Sequence, residues 1–244
     1  MIAVILSAGA GSRLLPLTRE RPKCLVEVDG RTILDWQLDA VRTAGIDRAV
    51  VVGGYRCAQI AAHLARDTAS LPVELVFNPF WSHASSIGSV WAAREHLRGA
   101  FCLMNGDTIF DPTLIGDAVA RASQGVNLLV EPLAEAITDD MLVTVEQGQI
   151  RAVAKTLPHA AATHRSLGVV LSGGPGSTRY LHALETVIAA PKGTHAYHHD
   201  VIDYLAKSNR VDAIVADAAG WQEVDSPADI ARWTRRTHEV DVAD

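Results

Sequence analysis

Cysteine is scarce. Cys24, Cys57 and Cys102 are the only three, widely spaced and without a Cys-x-x-Cys pair, which argues against a disulfide framework or a cysteine metal site and suits free thiols in a reducing cytoplasm. Positive charge is also short, with 22 lysines and arginines against 28 aspartates and glutamates and a net charge of -6. Nucleic acid and anionic membranes attract basic surfaces, so neither is expected as the main partner. No stretch approaches the roughly 18 apolar residues of a membrane span. The first residues show neither a basic leader nor the longer apolar run of a secretory signal, so a soluble cytoplasmic protein is expected. Internal repeats, low-complexity tracts and flexible linkers are missing too.

What is present is enough apolar content for one substantial core. With 48% hydrophobic and 20% charged residues, the 244-residue chain suits a single α/β domain over 1–244. Its first thirty residues organise the reading. Ile2, Ala3, Val4, Ile5 and Leu6 make a short continuous apolar run that predicts a strand covered on both faces. Ala8-Gly9-Ala10-Gly11-Ser12-Arg13 then turns through two glycines, whose missing Cβ atoms let backbone N–H groups approach an anion, while Arg13 and Lys23 add positive charge. The bend reads as a polyphosphate site. A dinucleotide-binding turn would place a third glycine where Leu14 stands, and a Walker loop would close with Gly-Lys-Ser or Gly-Lys-Thr, which Gly11-Ser12-Arg13 does not. The glycines alone fit an ordinary strand-to-helix turn equally well.

Along the rest of the chain, helical rhythm over 32–44 is stopped by Gly45, strands are predicted at 49–52 and 73–77, and a helix at 57–66 lies between them. A helix over 86–97, a strand at 101–104, a helix from Asp111-Pro112 to 122 and a strand at 126–130 continue the alternation. Strand, helix, strand, helix implies a doubly wound, mainly parallel Rossmann-like sheet. The pattern then changes. Residues 142–146 and 149–154 flank Gln147-Gly148 as a hairpin, 166–171 is another strand, and Gly173-Gly174-Pro175-Gly176 breaks the chain before helices at 178–190 and 201–206. A strand at 211–215 precedes Trp221-Gln222-Glu223-Val224-Asp225, and Ser226, Pro227 and Asp229 form a capping box for a closing helix. Residues of about 135–200 are expected to be a small antiparallel lid or acceptor-side lobe.

Gly-x-Gly-x-Arg-Leu-x-Pro-Leu-Thr from Gly9, followed by Pro22-Lys23-Cys24-Leu25, resembles the signature of the nucleotidyltransferases that activate sugar phosphates and related phosphate esters. The pattern is nearest the small cytidylyltransferases acting on phosphocholine, inositol phosphate or phosphonates, with their glycosyltransferase-A-like fold. The resemblance implies that Leu6, Ala8, Gly9, Ala10, Gly11, Ser12 and Arg13 hold a nucleoside triphosphate, CTP being favoured, and that Lys23 draws it to the acceptor. Asn105-Gly106-Asp107-Thr108 follows an apolar strand. On the residues alone Asp107 reads equally as a turn-forming aspartate or a metal ligand; the resemblance implies that it binds Mg²⁺ together with Asp225, with Asn105 and Gly106 beside the nucleotide. Asp225 also suits helix capping.

Asn78-Pro79-Phe80 through Ser85-Ser86-Ile87 resembles the nucleobase loop of the same enzymes, which implies base contacts from Asn78, Ser85 and Ser86; the serine pair stands where relatives carry Thr-Asn or Asn-Asn. Lys155 resembles the lysine that approaches the acceptor phosphate and reads equally as a surface lysine. Glu131, Gly168, His198 and Asp200 are the remaining acceptor candidates. His195, His198, His199 and Asp200 form one short patch without a second ligand set, which favours surface or helix-start residues over zinc. The partners implied are a nucleoside triphosphate and a small phosphorylated or phosphonate acceptor, with a homodimer left open. A sugar-1-phosphate guanylyl-, uridylyl- or thymidylyltransferase is the main competitor. A metal-dependent glycosyltransferase should show Asp-x-Asp where Gly106-Asp107-Thr108 stands, and a non-catalytic nucleotide-binding regulator should have lost Arg13, Lys23 or a metal carboxylate.

Overall fold

The opening apolar run forms β1 (Ile2–Ser7), an interior strand with nearly every residue buried. The computed structural model describes residues 1–66, 71–134, 139–216 and 220–241, with side chains as far as 235. After β1 come β2 (Glu27–Val28), β3 (Arg31–Thr32), α1 (Ile33–Thr43), β4 (Arg48–Gly53), α2 (Cys57–Leu64), β5 (Val73–Phe77), α3 (Ser86–Ala92) and β6 (Phe101–Asn105). Then follow β7 (Thr108–Phe110), α4 (Pro112–Arg121), β8 (Val126–Pro132), β9 (Leu142–Glu146), β10 (Gln149–Ala154) and β11 (His164–Ser172). The chain closes with α5 (Gly174–Ala189), α6 (His198–Ala206), β12 (Val211–Val215), β13 (Trp221–Glu223) and α7 (Pro227–Asp241).

Nine strands form one sheet in the order β5-β4-β1-β6-β11-β8-β12-β10-β9. The first four run parallel and β12 runs parallel to β8, as the alternating pattern implies. Between β6 and β8, β11 is antiparallel to both neighbours, so its first half lies toward the carboxyl end of β6. Consecutive residues of the central strands face opposite layers. Val4 and Leu103 pack beneath α3, α5 and α6, whereas Ile5 and Met104 pack beneath α1, α2 and α4. Burying each such side chain is worth roughly 1.5–3 kcal/mol, which is why the central strands read as unbroken apolar runs.

Several expectations are corrected in detail. The helix over 86–97 ends at Ala92 and tightens into a 3₁₀ turn at Arg94–Leu97. The predicted break at 173–176 lies largely inside α5: Pro175 occupies the first turn, where no backbone donor is needed, and a Cβ on Gly176 would sit 2.4 Å from the Gly125 carbonyl. α6 begins at His198, ahead of the predicted 201. Gln147 and Gly148 adopt φ of 51° and 75°, the left-handed pair that a two-residue hairpin needs, but β9 and β10 join the edge of the main sheet. Two ribbons, β2 with β3 and β7 with β13, are too short to have left a pattern.

Candidate active site

The bend after β1 is shaped by close approaches. A Cβ on Gly106 would fall 2.2 Å from the Leu6 carbonyl oxygen, so glycine lets the β6–β7 turn press against the end of β1. At Gly11, φ is 67° and a Cβ would lie 2.8 Å from Cβ of Lys23, while the Thr18 hydroxyl donates to the Gly11 carbonyl at 2.8 Å. The bend and the Pro22-Lys23 segment are thereby packed as one piece.

Lys23 reaches the carboxylates from this piece. Its Nζ lies 2.9 Å from Oδ2 of Asp107 and also pairs with Asp225, whose second oxygen is 2.9 Å from Nη2 of Arg13. The two aspartates meet because β7 pairs with β13: the Val224 N–H donates to the Asp107 carbonyl at 2.9 Å, and Glu223 sits opposite Thr108. Gln37, fully buried on α1, donates to the carbonyls of Asn105 and Thr108 and so brackets Gly106-Asp107 from below. Glu223 completes the group. One oxygen from each of Asp107, Glu223 and Asp225 lies within 4.8 Å of the others, and Oδ1 of Asp107 is buried without a hydrogen-bond partner among the described residues.

The charges respond to this crowding. Burial alone would lower the Lys23 pKa, but Asp107 and Asp225 outweigh it and the net shift is upward. Burial likewise opposes ionisation of Asp107, yet Lys23 and Arg13 hold it below its ordinary value. Glu223 has burial and two neighbouring carboxylates against it and is pushed up to about 8.

In front of the carboxylates opens a cleft of about 310 Å³, into which Leu6, Ala8, Gly9, Arg13, Asn105 and Gly106 face. Gly11 and Ser12 line a smaller hollow of about 220 Å³ behind the bend with Lys23 and Asp225, and of residues 8–13 only Ala10 lines neither space. At the far end Ser85 and Ser86 also line the cleft, and the Ser85 hydroxyl makes no capping bond to α3. Asn78 does not line it. Its side chain is buried, donating to the Ser89 hydroxyl at 3.1 Å and accepting from the Phe80 N–H at 2.9 Å, so it shapes the loop from within.

Lys155, Gly168 and His198 line the same cleft. Gly168 (φ 74°) sits at a register shift of β11, and a Cβ there would lie 2.5 Å from Nδ2 of Asn105. His198 is buried, its backbone N–H donates to the Ser86 hydroxyl at 2.9 Å, its Nδ1 lies 3.3 Å from that oxygen, and burial pulls its pKa down to about 4. Glu131 and Asp200 depart from expectation. Glu131 is buried and engaged by Arg165 and by the Trp221 indole N–H at 2.8 Å, and Asp200 caps α6 by accepting the Tyr197 N–H at 2.6 Å; neither lines the cleft. Among the described residues the histidine patch makes no metal-ligand group: His195 is exposed and His199 is held by the Ser166 hydroxyl.

The sequence reading left out Glu223, Asp139 and Gln37. Glu223 was findable, because alternate residues of a strand share a face and 221, 223 and 225 therefore point together. Gln37 is a polar residue on the apolar side of α1, a weaker signal. Asp139, which pairs with both Arg13 and Lys155, stands in a stretch without pattern.

A MobA-like NTP transferase domain matches residues 3–167. The chain belongs to this family. It is 31% identical over 247 residues to the UTP–glucose-1-phosphate uridylyltransferase AglF of Haloferax volcanii, covering 98% of this chain and 97% of that one. It is also 31% identical over 237 residues to the CMP-5'-(3-aminopropyl)phosphonate synthase of Streptomyces rubellomurinus, spanning 93% of this chain but 37% of that longer protein. The CTP:phosphocholine cytidylyltransferase LicC of Streptococcus pneumoniae shares the fold, with a TM-score of 0.80, 19% identity and coverage of 97% of this chain and 99% of the other. The family member described here is thus a nucleotidyltransferase of the sugar-phosphate and phosphonate type. None of its helices within the described residues is long and apolar enough to cross a membrane.

Proposed function

We propose that this transferase moves CMP from CTP to a small phosphate or phosphonate acceptor with Mg²⁺, releasing pyrophosphate. The observation that carries the reading is the convergence of Asp107, Glu223 and Asp225 on Lys23 and Arg13 at the glycine bend. A hard divalent cation wants oxygen ligands, and these carboxylates, with the unpartnered Oδ1 of Asp107 among them, are chemically suited to it. Bound there, the ion would neutralise phosphate charge.

The chain's own groups do the rest. Backbone N–H groups of residues 8–12 and the Arg13 guanidinium hold the triphosphate, and Lys23 aligns its α-phosphate with the acceptor. An acceptor phosphate or phosphonate is already an oxyanion near neutral pH, so alignment rather than proton removal is the task. One acceptor oxygen bonds to the α-phosphorus as the bond to the bridging oxygen breaks, and that electron pair leaves with pyrophosphate.

Ser85 and Ser86 at the base end both donate and accept, which suits either pyrimidine edge. The choice of cytosine is supported by the likeness to the phosphonate synthase across 93% of this chain. A second reading, UTP with a sugar 1-phosphate, is favoured by the likeness to AglF over the length of both proteins. Pyrophosphate release should be assayed with CTP, UTP, GTP, ATP and dTTP against phosphocholine, 2-aminoethylphosphonate and glucose 1-phosphate with Mg²⁺. Turnover with CTP and a phosphonate or phosphocholine supports the first reading, turnover with UTP and the sugar phosphate replaces it, and no release from any pair overturns both.

A further inference from the structure

Arg13 and Lys155 enter the cleft from opposite sides, one from the bend after β1 and one from the end of β10, and both end on the same carboxylate. Nη1 of Arg13 lies 2.5 Å from one Asp139 oxygen, and Nζ of Lys155 pairs with the other. Asp139 faces the cleft between them, next to Asp140, which is turned toward Arg165 at 3.5 Å. Its backbone has φ of 87°, which a non-glycine residue rarely adopts, so the segment accepts local strain to present this carboxylate to two cations. A carboxylate gripped by a guanidinium and an ammonium uses the same donors that would grip a phosphate oxygen.

Resting on the nucleotidyltransfer reading, we propose that Asp139 is an internal competitor that occupies the anion subsite between Arg13 and Lys155, and that the acceptor's phosphate or phosphonate binds by taking its place. The exchange conserves charge contacts. Each cation gives up one carboxylate oxygen and receives one phosphate oxygen, while Arg13 keeps its second bond to Asp225 at 2.9 Å. The consequence is weaker anion binding. Breaking the two pairs to Asp139 costs every displacing anion the same energy, so Asp139 lowers all their affinities by one factor, while the preference for a doubly charged phosphate or phosphonate comes from Arg13 and Lys155 themselves.

The test is affinity for inorganic phosphate, measured by isothermal titration on the full-length protein, so that it does not depend on turnover. Exposed ion pairs contribute about 0.2–1 kcal/mol each, so removing two competing pairs should tighten phosphate binding roughly two- to thirtyfold in Asp139→Asn. Glycine accepts φ of 87° without strain, so Asp139→Gly is a second variant should the first fold poorly. Asp139→Glu, which restores the carboxylate, should return toward wild type, and the gain should vanish in Asp139→Asn/Lys155→Ala. With the acceptor found by the pyrophosphate screen, Asp139→Asn should lower the acceptor KM by more than the CTP KM, because it frees both Lys155, which serves the acceptor, and Arg13, which also holds the triphosphate. Unchanged or weaker phosphate binding in both Asp139→Asn and Asp139→Gly overturns the proposal; a raised acceptor KM would instead make Asp139 a ligand for a cationic group of the acceptor and overturn it too. Absence of pyrophosphate release with every substrate pair would refute the nucleotidyltransfer assignment while leaving the phosphate titration to be judged by itself.

Discussion

At the scale of single residues the site is an arrangement of opposite charges in contact, and the magnitudes decide what each does. Lys23 is nearly enclosed between Asp107 and Asp225, so removing its ammonium leaves two carboxylates facing each other and the transferring phosphate without a cation. By analogy with loss of one oxyanion donor, Lys23→Ala should cost about 2.7–4 kcal/mol of transition-state stabilisation, hence roughly 10²–10³ in kcat. Near-normal turnover would remove Lys23 from the mechanism. Glu223 gives the pH dependence. Its pKa is raised from 4.5 to about 8, so its proton stabilises the metal-free fold fully below 4.5 and that contribution is lost as pH rises through about 8. The metal-free protein should therefore lose melting temperature over this window relative to Glu223→Gln. A cation bound to Glu223 must displace the same proton, so the Mg²⁺ concentration for half-maximal rate should fall from pH 6 to pH 8 in the wild type and stay flat in Glu223→Gln. Equal slopes in the two proteins would show that Glu223 takes no part.

At the scale of elements, the site depends on short pieces that fasten long ones. Gln37 joins α1 to the turn between β6 and β7 through two carbonyls, and Gln37→Met keeps much of the volume while leaving both carbonyls unpaired. Unsatisfied buried groups cost roughly 1–3 kcal/mol each, so the melting temperature should drop, and the Mg²⁺ requirement should rise because Asp107 loses its bracket. A stable variant with an unchanged Mg²⁺ requirement would mean that β7 and β13 position Asp107 without help. These same elements explain what was legible. The long apolar strands and α1 announce themselves by period, and the tight bend by its glycines, because burial and close approach leave few residue types acceptable. The ribbon of β7 and β13 has three residues a side, fewer than a period can register, and its pairing over a long sequence separation comes from tertiary packing of Ile109 and Val224. Glu131 and Asp200 misled for a related reason: an acidic residue near a cleft has the same one-letter appearance whether it meets a ligand, an arginine or a helix end.

At the scale of the whole molecule, cations that would meet phosphates are already matched by the chain's own carboxylates, which fits an acidic protein of net charge -6 that nevertheless takes anionic substrates. Substrates then compete with internal partners, and binding energy should reappear as resistance to heat. With Mg²⁺ and CTP at about one hundred times their dissociation constant, stabilisation of about 2.7 kcal/mol corresponds to roughly 5–11 °C in Tm for a chain of this size. UTP in place of CTP should give a smaller shift, and a larger one would transfer the base preference to uracil.

The pairing of β7 with β13 also sets an order in time. Every strand of the nine-stranded sheet has been synthesised by Val215, yet two of the three carboxylates arrive only at Glu223 and Asp225. Translation thus delivers the scaffold before the chemistry. A nascent chain stopped at residue 220 would carry the glycine bend, Lys23 and Asp107, but neither the ribbon nor the two carboxylates that follow from it.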